Sequence, residues 1–218
     1  MARKEREHAV TILIVDDHAI FRHGLRDILA RHFADARFAE AETATGALEH
    51  IRTRAWDIMV LDVTIPGRGG LEILKEVKKL RPNLPVLMLS MHPEEQYAIR
   101  VLQAGASGYI TKIRAPLELV EAVKKVLSGG KYISPGLAES LVNHIGHRAP
   151  KTLHERLSNR EFQVLRLMAS GKSAKNIAHE LSVSPQTIST HRARILKKLG
   201  LKTTAALIRY AVENELID

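Results

Sequence analysis

The sequence predicts a doubly wound parallel α/β domain followed by a small all-helical domain, and three observations carry that prediction. Short, almost uninterrupted apolar runs recur over residues 8–130: TILIV at 11–15, IMVL at 58–61, VLML at 86–89 and the less apolar GYIT at 108–111. Between them lie stretches with helical spacing of apolar residues, the alternation expected when parallel strands are buried on both faces. From Leu157 onward no strand pattern remains, only amphipathic helical segments with strong start signals.

The elements follow in order. TILIV runs into Asp16-Asp17, and the first helix is expected to begin near Ala19 with Ile20, Leu25, Ile28 and Leu29 turned inward. A weaker strand, Arg37–Ala41, precedes a helix over roughly Ala44–Arg52. IMVL runs into Asp62, followed by the turn-rich loop Ile65-Pro66-Gly67-Arg68-Gly69-Gly70. The next helix carries Leu71, Leu74, Val77 and Leu80 on one face and stops at Arg81-Pro82, because a proline drives its predecessor out of the helical region. VLML runs into Ser90; Pro93 opens a helix that ends at Gly105. GYIT runs into Lys112, and Pro116 opens a helix that ends at Ser128-Gly129-Gly130.

Residues 131–152 are read as a connection: a short helix over Leu137–Ile145, then a linker, Gly146–Thr152, without apolar periodicity. Residues 153–218 are helical. Ser158 and Glu161 form a capping box, ahead of a helix burying Phe162, Leu165 and Met168. Ser173 caps a short helix with Ile177, Ala178 and Leu181 inward. Ser184-Pro185 starts the next, which runs to Leu199 before Gly200, and a last helix covers Thr203 to about Asn214. Two helices joined by Ser182-Val183-Ser184 make a helix-turn-helix.

Composition narrows the function. A chain of 218 residues with no long apolar stretch has room for two domains and no membrane span. The charged start, MARKEREHAV, is expected to lead directly into the first strand rather than into the apolar region of a signal peptide. The absence of cysteine excludes a disulfide framework and thiol chemistry and fits a cytoplasmic protein. The formal net charge is +9, and from Lys151 onward 12 Lys/Arg face 6 Asp/Glu. Such a balance in a helical pattern with its own core suits nucleic acid better than a membrane surface.

In parallel sheets of this kind ligands bind outside the carboxyl ends of the strands. Asp16, Asp17, Asp62, Ser90 and Lys112 should therefore converge as a hard-cation site with a phosphoryl acceptor beside it. One strand-end aspartate is commonplace, and Asp16 or Asp17 alone could merely cap a helix. Five such residues at four strand ends are not coincidence. Two other motifs fall away. Gly171-Lys172-Ser173 imitates the end of a phosphate-binding loop, but its first glycine would be Arg166, and it follows a helix. The 11 histidines contain no HExxH pair, and His18 is expected to pack near the acidic rim.

VDDH at 15–18, LDVTIPGRGGLE at 61–72, LS at 89–90 and GYITK at 108–112 resemble a response-regulator receiver domain. REFQVLRLMASGKSAKNIAHELSVSPQTISTHRARILKKLG at 160–200 resembles the LuxR-type helix-turn-helix. In this order, over nearly the whole chain, they are similar to the NarL/FixJ family of two-component regulators. The resemblance implies a flavodoxin-like (βα)5 receiver and a DNA-binding transcription regulator, not an enzyme. It implies that Asp62 is the phosphoacceptor, that Asp16, Asp17, Asp62 and the Thr64 carbonyl hold Mg2+, and that Lys112 and Ser90 meet the phosphoryl oxygens. Tyr109 is then the aromatic that moves inward as Ser90 shifts. The chemistry agrees: a carboxylate attacks phosphorus only when the repulsion between the two negative groups is relieved. Phosphatases that form an acyl phosphate on similar sheets need a second aspartate two residues on, where this chain has Thr64.

The implied partners are a sensor histidine kinase and double-stranded promoter DNA. Ser189, Thr190 and Ala193 are expected at the major-groove floor, flanked by Gln186 and His191. Lys172, Lys175, Arg192, Arg194, Lys197 and Lys198 are placed for phosphates, which position the protein without reading sequence. Phosphorylation is expected to favour a homodimer, with the helix from Pro93 to Ala104, including Tyr97 and Arg100, among the surfaces that change.

Overall fold

Five parallel strands, β1 (Thr11–Val15), β2 (Arg37–Ala41), β3 (Ile58–Asp62), β4 (Val86–Ser90) and β5 (Gly108–Thr111), stand in the order β2-β1-β3-β4-β5. Between and after them run α1 (Ala19–His32), α2 (Ala44–Thr53), α3 (Gly70–Leu80), α4 (Glu94–Gln103) and α5 (Ala115–Leu127). The computed structural model describes residues 9–91, 94–134, 137–138, 153–181, 183–214 and 216, the side chains of 94–97, 155 and 159 excepted. Pro93, the Tyr97 side chain, Ser182, the linker Gly146–Thr152 and most of the expected helix Leu137–Ile145 lie outside the described residues. The chain divides into two units, Met1–Ser140 and Leu141–Asp218.

Every residue of β3 and β4 is buried, which is why both read as continuous apolar runs. β2 lies at the edge with Arg37 exposed, and its sequence signal is correspondingly weak. Alternate residues serve the two faces. Ile12, Ile14, Ile58, Val60, Leu87, Leu89 and Ile110 pack with Leu25 and Leu29 of α1 and with Leu119 and Val123 of α5. The intervening Leu13, Met59, Leu61 and Met88 serve the opposite face, and Ala47 and Ile51 of α2 and Leu74 and Val77 of α3 are likewise fully buried.

Two inward assignments are corrected. Ile20 is 90% exposed: it lies five residues before Leu25 and so falls on the far side of α1. Its place in the inward stripe is taken by Arg22. Leu80, at the last position of α3, is 42% exposed and lines a surface groove. After α5 the chain returns along the sheet, where Tyr132 N donates to Ser107 O at 2.9 Å and Tyr132 bridges Gly108. Packing continues past Gly130, since Ser134 and Leu137 are buried as well.

The second unit starts with a 3-10 turn, Leu153–Arg156, followed by α6 (Asn159–Ala169), α7 (Ala174–Glu180), α8 (Pro185–Leu199) and α9 (Thr204–Glu213). Its start signals form as hydrogen bonds. Ser158 and Glu161 make the reciprocal capping box, and Ser173, Ser184 and Thr203 each accept from a backbone N–H of their own helix. Gly200, at φ +68°, ends α8 in the left-handed region that glycine tolerates. Phe162, Leu165, Ile177, Ile188, Ile195, Leu199, Leu207 and Ala211 form the core, while Met168 is only half-buried. Arg166 Nε donates to Leu216 O at 2.8 Å and ties the C-terminal segment to α6.

Candidate phosphoacceptor site and nucleic-acid interface

The parallel register pairs Val15 with Leu61, Asp62 with Leu89 and Ser90 with Thr111, so four strand ends deliver their polar residues to one edge. Lys112 Nζ donates to Asp62 Oδ2 at 2.8 Å and lies 2.6 Å from Asp16 Oδ2. Thr64 N donates to Asp62 Oδ1 at 3.0 Å, and Lys112 N donates to Ser90 O at 2.7 Å. Asp16, Asp62 and Ser90 are buried, and so is Lys112 apart from a small part of its side chain. Tyr109 is fully buried beside them in the sequence of β5.

One ligand atom from each of Asp16, Asp17, His18 and Asp62 lies within 4.8 Å of the others. Asp17 Oδ1 is buried and among the described residues accepts no hydrogen bond; His18 Nδ1 stands 3.0 Å from it. Three carboxylates around one ammonium leave negative charge uncompensated, and this oxygen-rich set suits a hard divalent cation such as Mg2+. Burial pushes the Asp62 carboxyl up and the Asp16 charge adds to this, while Lys112 and the Thr64 N–H pull it down; the result is about 6. For Lys112, burial disfavours the charge, but Asp62 and Asp16 more than offset it and hold its pKa above the ordinary lysine value.

Three contributors escaped the sequence reading. Arg22 is buried; its Nη1 donates to Asp16 O at 2.6 Å, its Nε to Glu40 at 2.9 Å and its Nη2 to Glu42 at 2.9 Å. The signal was present, because Arg22 sits three residues before Leu25 on the inward face. The Phe21 ring lies under Lys112 Nζ, 4.7 Å from its centroid. Gly70 was read only as a turn glycine, yet a Cβ there would collide with Asp62 O and come within 2.8 Å of Val63 Cα. The same edge exposes Ile20, Met91, Ile113 and Leu117, four large apolar side chains at the rim.

In the second unit, α8 turns Ile188, Ile195 and Leu199 to the core. Helical spacing then places Gln186, Thr190, Ala193 and Lys197 on the opposite, exposed face, with Ser189 and Arg194 beside them. Ser189 Oγ donates to Pro185 O at 3.2 Å and Thr190 Oγ1 to Gln186 O at 3.0 Å, which leaves both hydroxyl oxygens able to accept. His191 is half-buried and Arg192 exposed, both turned away from the Thr190 face. Lys198 Nζ donates to the buried Glu161 carboxylate at 2.6 Å, so its charge is matched within the unit. Lys172 pairs with Glu180 at 2.6 Å, while Lys175 is exposed.

A lysine-closed acidic edge on a five-stranded parallel sheet, with a capped helix-turn-helix in the same chain, defines a regulator built from a receiver and an output domain. The chain belongs to the response regulator receiver domain family, matched over residues 12–124, and to the luxR family of bacterial regulatory proteins, matched over 155–211. It is a response regulator with a LuxR-type DNA-binding domain. It is 32% identical over 210 residues to Response regulator UvrY of Escherichia coli, covering 96% of each chain. Fimbriae Z protein of Salmonella typhimurium is 36% identical over 209 residues, covering 95% of this chain and 98% of that protein. Among solved structures, the Salmonella typhimurium RcsB response regulator matches with a TM-score of 0.66 at 26% identity, covering 94% of this chain and 98% of that one. Among the described residues no helix is long and apolar enough to cross a membrane.

Proposed function

We propose that this protein is a cytoplasmic transcription regulator switched by phosphorylation of Asp62. Its receiver spans residues 8–130, a helix and linker 131–152, and a DNA-binding domain 153–218. The observation that carries this reading is the Lys112 ammonium bridging Asp62 and Asp16 at an otherwise anionic strand edge. Asp16, Asp17, Asp62 and the Thr64 carbonyl would hold Mg2+, which when bound neutralises charge on the incoming phosphoryl group. A sensor histidine kinase is the donor, docking on the apolar rim of Ile20, Ile113 and Leu117. The Asp62 oxygen bonds to phosphorus as the nitrogen–phosphorus bond of the donor breaks. Lys112 and the Ser90 hydroxyl then hold the new phosphoryl oxygens. The Ser90–Tyr109 pair passes the change on to the helix that contains Arg100.

The output is promoter DNA bound by two copies. RcsB, a structural relative at 27% identity and TM-score 0.57 over 94% of this chain, is known in complex with DNA. RcsB from Salmonella enterica serovar Typhimurium is also known bound to promoter DNA with the phosphomimetic BeF3−. Here Gln186, Ser189, Thr190 and Ala193 would read bases, and Lys175, Arg194 and Lys197 would meet phosphates. Lys172, His191, Arg192 and Lys198 lie at the margin of that contact. With Mg2+ and a small acyl phosphate, intact-mass measurement should find one added phosphate on the native protein and none on Asp62→Asn. Equal labelling of the variant would overturn the assignment.

A further inference from the structure

At the amino ends of β3 and β4, across the sheet from the acidic edge, the preceding loops border an open surface groove of about 390 Å3. Arg54, Trp56, Leu80, Arg81, Pro82 and Leu84 line it. Trp56 is the single tryptophan of the chain. Its Nε1 donates to His50 O at 3.0 Å, and the His50 ring meets the indole edge-on at 5.8 Å, so the ring is held in place. Lys78 Nζ donates to Leu84 O at 2.7 Å, and Arg81 Nε donates to Ile51 O at 3.3 Å, which ties the loop before β4 to α2. The Trp56 ring and the loop backbone are thus held in place around a groove in the size range of small-ligand sites.

Its charge is one-sided. No acid lines the groove, and among the described residues neither Arg54 nor Arg81 has a carboxylate partner. Guanidinium groups bind phosphate through paired N–H donors and stack on aromatic planes, and indole is a strong stacking surface. We propose that this groove binds a small planar aromatic anion of the nucleoside phosphate class, with the base on Trp56 and the phosphate between Arg54 and Arg81. A peptide fits less well. β3 and β4 are interior strands with both edges paired, so an extended segment finds no free sheet edge to extend.

The single tryptophan reports directly. Full-length protein labelled with nitrogen-15 is titrated with GMP and AMP, following the one indole N–H resonance and Trp56 fluorescence. A saturable shift is expected, weakened about tenfold or more in R54Q/R81Q. Guanosine without phosphate and inorganic phosphate alone should each bind at least about tenfold more weakly than the nucleotide. Both arginines are exposed and remote from Asp62, so the variant should still fold and still accept phosphate, which separates loss of the groove from loss of the protein. No saturable response at millimolar nucleotide, an unaltered response in R54Q/R81Q, or a response to phosphate equal to that to nucleotide would each overturn the proposal. So would an acidic peptide that binds where nucleotides do not.

Discussion

Asp62 has both oxygens engaged, one by Thr64 N–H and one by Lys112, yet burial still lifts its pKa to about 6. The sign of the consequence follows. The folded state favours the protonated acid, so this contribution to stability is complete below the ordinary aspartate value of 3.8 and is lost as pH rises through about 6. In protein freed of divalent cations, the carbon-13 resonance of the Asp62 carboxyl should titrate near 6, and Asp62→Asn should lose the matching part of the stability-versus-pH curve. A midpoint at the usual aspartate value would show that Lys112 and Thr64 outweigh burial.

Elements show what was legible in the sequence and what was not. The strands announced themselves because β3 and β4 are buried on both faces, and the helix starts because Ser158, Ser173, Ser184 and Thr203 each form the cap their side chains suggest. Polar residues at strand ends were equally readable, since chain order alone brings parallel ends together. Long-range pairings were not. Nothing local marks Lys198 as the partner of Glu161, 37 residues away, or Gly70 as the point where α3 meets the end of β3. Two substitutions separate such tasks. Lys198→Ala should destabilise the DNA-binding unit by roughly 1–2 kcal/mol, because it leaves Glu161 buried with one partner fewer. Lys197→Ala should leave the melting temperature unchanged and weaken binding to all DNA sequences alike. Denaturant melts alongside DNA titrations check both, and matching profiles for the two variants would refute the division. Gly70→Ala should cost about 1–3 kcal/mol, read in the same melts, because the new methyl meets backbone rather than a movable side chain.

For the whole molecule, the uneven charge sets how the two units meet their partners. The segment from Lys151 onward, with 12 Lys/Arg against 6 Asp/Glu, should bind DNA with strong salt dependence, since each phosphate contact releases counterions. A single helix-turn-helix reaches few bases, so two copies on paired half-sites are the expected route to specificity. Light scattering with and without an acyl-phosphate mimic should show the mass doubling on activation. An unchanged monomer that still binds a two-half-site probe without cooperativity would rule out phosphorylation-driven pairing. Arg22, finally, defines what is portable about this receiver. One guanidinium fastens the carbonyl of Asp16 to carboxylates at the end of β2 and just beyond it, so the acidic pair rests on a neighbouring strand as well as its own. A designer who grafts Asp16, Asp17, Asp62, Ser90 and Lys112 onto another parallel sheet would transfer the chemistry without its mounting. The smallest transferable unit includes Arg22 and Glu40, and therefore requires a scaffold whose adjacent strand ends in the same register.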